Sequence, residues 1–141
     1  MKKIILLLFA AGVSVTACNS TIDESKVPAV VKESFAKDFP GISAKWDKEN
    51  SDYEASFKMS DKTMSALYDV NGIRKETETD IKVDDLPASV KSYINDNYKG
   101  KKIKEAAIIT KANGEVNYEA EVNDMDVLFT KDGSFIKTEK E

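Results

Sequence analysis

Histidine is absent from this chain of 141 residues, and cysteine occurs once. The first absence removes the commonest general base together with the commonest transition-metal ligand. With the one cysteine committed elsewhere, as argued below, neither a Ser-His nor a Cys-His nucleophile pair can be built. A basic stripe is missing too. Lysine and arginine total 21 against 25 acidic residues, a net charge of −4, whereas a nucleic-acid binder needs positive charge to neutralise phosphates. The apolar run at residues 4–17 is 14 residues long, short of the roughly 20 that a membrane-spanning helix requires.

What is present describes a folded body. Hydrophobic residues make up 41% and charged residues 33% of the chain, a balance typical of globular rather than disordered proteins. One tryptophan, five tyrosines and six phenylalanines supply enough aromatic surface for a core. The length suits one ordinary domain, or two very small units sharing a core.

The single cysteine stands in SVTACNST, residues 14–21, at the end of the first apolar run. Lys2 and Lys3 form a positive n-region, IILLLFAA (4–11) an apolar h-region, and small residues lead to Cys18. Val15-Thr16-Ala17-Cys18 resembles the lipobox of bacterial lipoproteins, in which the cysteine is diacylated on sulfur and becomes the new first residue. Residues 1–17 therefore read as a lipoprotein signal peptide and Cys18 as the lipid attachment site. Two or more acyl chains, at about 0.8 kcal/mol per buried CH₂, make such an anchor stable. The alternative is an ordinary signal peptide that leaves a free thiol. Removal of residues 1–17 leaves 124 residues at a net charge of −6. Residues 18–25 read as the lipidated cysteine and a polar tether, with Asn19 to Ser25 spanning at most about 25 Å. Asp23 and Glu24 loosely resemble acidic signals that send some lipoproteins to the cell exterior. The address is the bacterial envelope, most simply the outer membrane on its periplasmic or exterior side.

The remainder repeats itself. SKVPAVVKESFAKDFPG (25–41) lies over DDLPASVKSYINDNYKG (84–100) without a gap, YEASF (53–57) over YEAEV (118–122), and LYDVNG (67–72) over LFTKDG (128–133). Two units follow, 26–81 and 82–141. Each opens with an apolar stripe at i+4 spacing: Val27, Val31, Phe35, Phe39, then Leu86, Val90, Ile94, Tyr98. Ser25 and Asp84 are cap-type residues, prolines follow in the first turn, and Gly41 and Gly100 suit a left-handed C-terminal position.

After each helix the period becomes two, as in Tyr53, Ala55, Phe57, Met59 and again in Val116, Tyr118, Ala120, Val122. Asn71-Gly72, Asn113-Gly114 and Asp132-Gly133 signal two-residue hairpins of type I′. Strands are expected at 43–49, 53–59, 63–70 and 73–80, then at 102–110, 115–122, 125–130 and 134–138. The fold class is α+β: two tandem α-β-β-β-β repeats in one antiparallel sheet of about eight strands. With one apolar stripe per helix and one apolar face per strand, both helices cover one face and leave the other polar and open.

In this order and in double occurrence, the motifs VPAVVKESFAKDFPG, YEASF, LPASVKSYINDNY, YEAEV and LFTKDG resemble the PepSY-like, beta-lactamase-inhibitor-like envelope proteins over about residues 25–138. The resemblance implies duplicated modules of small helices on an antiparallel sheet, exported and often lipidated. In the inhibitors after which the fold is named, the open face grips a partner enzyme. That activity does not transfer on fold alone.

Chemistry has few candidates. Asp84/Asp85 read as helix caps, Glu119/Glu121 as solubilising charges on an outward strand face, and Asp124/Asp126 as a third carboxylate pair. A hydrolytic pair needs one carboxylate buried with a raised pKa. Asp69, Asn71 and Gly72 lack the later ligands of a calcium loop, with Ile73 at the fifth position and Asp80 at the twelfth. Lys99, Lys101, Lys102 and Lys104 form a basic cluster that reads as a solvated loop, or as a contact with anionic lipid. No catalytic residue, metal or cofactor is indicated.

The candidate binding face comprises Trp46, Glu54, Lys58, Leu67, Glu119 and Glu121. Trp46 has Glu105 as its ungapped counterpart, which places it on the open face as an anchor; the other placement closes the core edge against Phe39 or Tyr53. Leu67 and Leu128 are equivalent and out of phase with Tyr68 and Phe129, which gives a small outward patch. The expectation is a non-catalytic, membrane-anchored module that binds an envelope or extracellular protein, or a ligand, through the open face. The alternative is a structural, envelope-homeostasis lipoprotein with no tight partner. A buried Trp46 on a uniformly charged face would favour the second, and a pocket burying two acids together would point to hydrolysis.

Overall fold

The two apolar stripes fold as helices α1 (Ala29–Asp38) and α2 (Ala88–Asn97) in the computed structural model, which describes residues 20–140. Cys18 and the expected signal peptide lie outside the described residues. Pro28 and Pro87 occupy the N-cap positions in extended conformation, and their carbonyls accept the first helical N–H bonds, from Val31 and Lys91 respectively at 3.1 and 3.2 Å. A missing N–H costs nothing there. Each proline is preceded by a single 3₁₀ turn, Glu24–Lys26 and Val83–Asp85. Ser25 and Asp84 sit inside these turns, so neither caps an α-helix as expected. Asp23 Oδ1 instead accepts from the Ser25 N–H at 2.8 Å and caps the first turn. Beyond the helices Gly41 and Gly100 take φ of +77° and +75°.

Among the described residues nine strands form one antiparallel sheet in plain chain order: β1 (Ser20–Ile22), β2 (Lys45–Glu49), β3 (Asp52–Met59), β4 (Lys62–Tyr68), β5 (Arg74–Ile81), β6 (Ile103–Lys111), β7 (Val116–Val122), β8 (Met125–Thr130) and β9 (Phe135–Lys140). Eight are the expected strands, and the order α-β-β-β-β occurs twice. The ninth, β1, comes from the stretch expected to be a free tether. Ser20 to Ile22 pair with Lys48 to Trp46 along the sheet edge, and half-buried Ile22 packs onto the first core.

The turns divide differently from expectation. The Asn-Gly and Asp-Gly hairpins are closed by the N–H of Gly72 on Asp69, Gly114 on Lys111 and Gly133 on Thr130, at 2.8–3.0 Å, with positive φ only at the glycine. That is a type I turn followed by a left-handed residue, the longer hairpin solution. The tight turns with two consecutive positive φ values lie at Ser60-Asp61 and Asn123-Asp124. Asp and Asn tolerate that region through local side-chain hydrogen bonding.

Both helices lie on the same face. Directly paired residues share a face, and pairings run from Phe57 through Met64, Thr79, Ile108 and Tyr118 to Phe129. Under α1 the core is aromatic: Phe35 lies 5.2 Å from Phe57 and 5.5 Å from Trp46, centroid to centroid. Under α2 it is mainly aliphatic, with Leu86, Val90, Ile94, Val122 and Val127 around Phe129. Ala55 and Ala66 in one repeat, and Ala106 and Ala120 in the other, are buried in these clusters. Alanine at those strand positions lets each helix approach the backbone closely.

Candidate functional site on the open face

Register builds the open face row by row. One row runs Asp47, Glu54, Leu67, Glu76, Lys111; the next runs Lys45, Ser56, Ser65, Glu78, Ile109, Asn117, Thr130. A third carries Ala107, Glu119, Leu128 and Lys137, and a fourth Glu105, Glu121, Asp126 and Glu139. Carboxylates dominate, yet the apolar trio Leu67, Ile109 and Leu128 is embedded among them and is at most 5% exposed.

The face is curled. Glu76 on β5 lines the same hollow as Lys137 on β9, four strands away, a separation of about 19 Å on a flat sheet. This hollow of about 680 Å³ is lined from six successive strands, with Leu67, Ile109 and Leu128 as its floor. A β-bulge follows Leu67 in one hairpin and Leu128 in the other. The unpaired residues opposite them are Lys75 and Ile136, equivalent positions of the two repeats, and both line the hollow. Bulges re-aim side chains in this way.

Four cations, Arg74, Lys75, Lys111 and Lys137, border the hollow against two carboxylates, Glu76 and Glu115. Each cation is held by an acid: Arg74 by Asp38 at 3.1 Å, Lys75 by Asp52 at 2.5 Å, Lys111 by Glu115 at 2.7 Å, and Lys137 by Glu139. Their side chains nonetheless remain 33–40% exposed. Burial pushes Glu76 up to about 7, against the pull of the three lysines.

Away from the hollow the acids crowd one another. Burial is the main cause that raises Glu54 to about 7 and Glu119 to about 8, with neighbouring carboxylates adding to it. Glu78 is displaced well upward by burial, then by Glu119 and Glu54, and its Oε1 has no hydrogen-bond partner. Glu54 and Glu119 were expected to be exposed. They are on the expected face, but the curl packs them against side chains of adjacent strands. Among the described residues no acidic group is arranged to hold a metal ion.

The candidate residues thus separate. Glu54, Leu67, Glu119 and Glu121 share the open face and are buried; Lys58 is there and exposed. Trp46 is not on it. It is 4% exposed, inside the α1 core against Phe35. The ungapped comparison with Glu105 slips by one residue at a bulge between Ile103 and Glu105. Trp46 pairs with Ala55 and Ala106 with Ala120, so the true counterpart is Ala106, which is also buried. Glu76, Glu78, Ile109, Lys111 and Lys137 were missed, although pairing Leu67 across an antiparallel register would have reached Glu76 and Lys111. The basic cluster contributes one ion pair set, Lys104 to Asp124 at 2.5 Å and to Glu121 at 3.3 Å.

The chain matches the family described as "Putative beta-lactamase-inhibitor-like, PepSY-like" over residues 13–63 and 51–137. It belongs to this family. The paired match of the PepSY-like family accords with the doubled order of elements. Among solved structures, a protein of Bacteroides eggerthii described as periplasmic is 17% identical with a TM-score of 0.71, covering 81% of this chain and 88% of that one. A BLIP-like protein of Bacteroides fragilis is 18% identical with a TM-score of 0.65, covering 80% and 86%. At these identities the likeness establishes the PepSY-like fold alone. No curated protein matches the chain.

Proposed function

We propose that this PepSY-like protein is an exported, non-catalytic, inhibitor-like binding module, anchored through acylated Cys18, that takes its partner on the open sheet face. The observation that carries the reading is the aliphatic hollow itself, set into an otherwise charged face with both helices packed on the other side. With Trp46 in the core, the anchoring role passes to Leu67, Ile109 and Leu128. The family's inhibitor-like character and the periplasmic description of a structural neighbour support binding in the envelope. The buried acids raise a hydrolytic reading, but Glu54, Glu78 and Glu119 do not line the hollow, so a substrate seated there would not reach them. The burial of Trp46 favours the structural alternative, since it removes the aromatic anchor.

Photo-crosslinking in cells separates these readings. A photoreactive residue at Ile73, which is 62% exposed at the hollow's rim, is expected to give a discrete adduct that Ile136→Glu abolishes. The same residue at Ser92, exposed on α2, is expected to give none. Equal, diffuse labelling from both sites would favour the structural role.

A further inference from the structure

The end of the sheet at which the chain enters is fixed by register. Ser20 pairs with Lys48 and Ile22 with Trp46, so β1 begins beside the β2–β3 turn at Asn50. Strand alternation puts the β4–β5, β6–β7 and β8–β9 turns at that same end. Ile73, Ala112 and Asn113, from two of those turns, line the hollow. Only Asn19 stands between Cys18 and Ser20, a reach of about 7 Å. A lipid on Cys18 would therefore bring the turn-bearing end, and the hollow with it, to the bilayer surface.

We propose that the hollow binds an anionic lipid of the membrane to which Cys18 is attached. The hydrocarbon nearest the headgroup would lie on Leu67, Ile109 and Leu128, and the negative group among Lys75, Lys111 and Lys137. This deepens the open-face reading and rests on it and on the acylation of Cys18. The placement of charge points to it: Lys75, Lys111 and Lys137 all line the hollow, while the acids that hold Lys75 and Lys137, Asp52 and Glu139, do not line it. The volume of about 680 Å³ accommodates a small amphiphile. The existing ion pairs do not block it, because each lysine has three N–H donors and keeps 33–40% of its side chain exposed beside its acid, so it can bind a second anion. Exposed Ile73 and Ile136 at the rim continue the apolar floor toward the side from which the lipid would arrive.

The test uses the acylated protein in nanodiscs, with isoleucine and leucine methyl groups observed by NMR and Trp46 fluorescence as the folding control. In phosphatidylcholine discs containing phosphatidylglycerol, saturable shifts are expected at Leu67, Ile109, Leu128 and Ile136. They should be absent in pure phosphatidylcholine and in discs doped with a cationic lipid. The double variant Lys111→Gln/Lys137→Gln, at two partly exposed sites, should keep the Trp46 signal and weaken the response about tenfold. Methyl shifts that ignore lipid charge, or no shifts in any disc, would overturn the proposal. So would decanoate matching phosphatidylglycerol in pure phosphatidylcholine discs, since the ligand would then be a free carboxylate amphiphile. The broader reading fails separately: unresponsive methyls with an intact crosslink from Ile73 sink only the lipid, and a protein not recovered with the discs sinks the anchor.

Discussion

A glycine at the tip of the last hairpin of each repeat holds a helix down, and this is where single residues decide most. Gly133, at φ +82°, is buried, and a Cβ there would overlap Ser89 Oγ on α2. Gly72, at φ +77°, would put a Cβ 2.7 Å from Ser34 Oγ and 2.8 Å from the Val30 carbonyl on α1. Gly114 has the same backbone demand, φ +83°, with nothing within 4 Å. Gly114→Ala should therefore cost only the conformational term, about 1 kcal/mol. Gly133→Ala and Gly72→Ala add steric overlap and should cost about 2–4 kcal/mol. Urea unfolding followed by Trp46 emission measures all three, and equal losses would show that the turns do not lock the helices. The lock was half legible. Asn71-Gly72 and Asp132-Gly133 announced turns, but their contacts with helices about 40 residues away in sequence follow from tertiary packing, which a dipeptide does not encode. Trp46 shows the same limit: a one-residue bulge inverted its face, because side-chain period in a strand is two.

At the level of strands, alternation told which side chains share the open face but not how much water reaches them. Glu54 on β3 and Glu119 on β7 were legible as outward residues, while Glu78 on β5 was not singled out; the burial of all three comes from curl, which is a property of the sheet. Its consequence is a pH dependence with a definite sign. Folding raises these carboxyls above their unfolded values, so the folded state binds more protons than the unfolded state between about pH 4.5 and 8, the window given by Glu54 near 7 and Glu119 near 8. Stability is greatest below that window and falls as pH rises through it. A tenfold difference in proton affinity between the folded and unfolded states is worth about 1.4 kcal/mol, so a loss of about 2 kcal/mol or more between pH 5 and pH 8 is expected even if only one group contributes fully. The lack of histidine makes the measurement clean, because no imidazole titrates in this range. Glu54→Gln and Glu119→Gln should each flatten the profile and raise stability at about pH 8, where they remove a charge that burial penalises. A melting temperature that is constant or climbs across the window would contradict the buried-acid account.

For the whole molecule, the edge strand β1 changes what a lipid anchor does. A free tether of residues 19–25 would let the body tumble up to about 25 Å from the bilayer. With Ser20 already in the sheet, an anchor on Cys18 would instead fix which end of the sheet faces the lipid. The polar composition of NSTIDES hid this, since its only large apolar residue is Ile22, and pairing with β2 is a long-range event. Orientation is then a prediction in its own right, independent of any ligand in the hollow. Acylation as proposed would consume the only cysteine, so a cysteine introduced at Asn50, Asn123 or another exposed turn would carry a fluorophore uniquely. Asn50 lies at the end where the chain enters and Asn123 at the opposite end, since β7 runs away from the first end and turns there. A headgroup-level quencher in the bilayer should quench the label at Asn50 strongly and that at Asn123 weakly. Inserting a flexible Gly-Ser linker of about ten residues between Cys18 and Asn19 should erase the difference, because such a chain spans about 15–20 Å and frees the body to reorient. Equal quenching at the two sites before the linker is added would mean that β1 does not transmit the orientation of the anchor. The turn-bearing end would then have no preferred relation to the membrane.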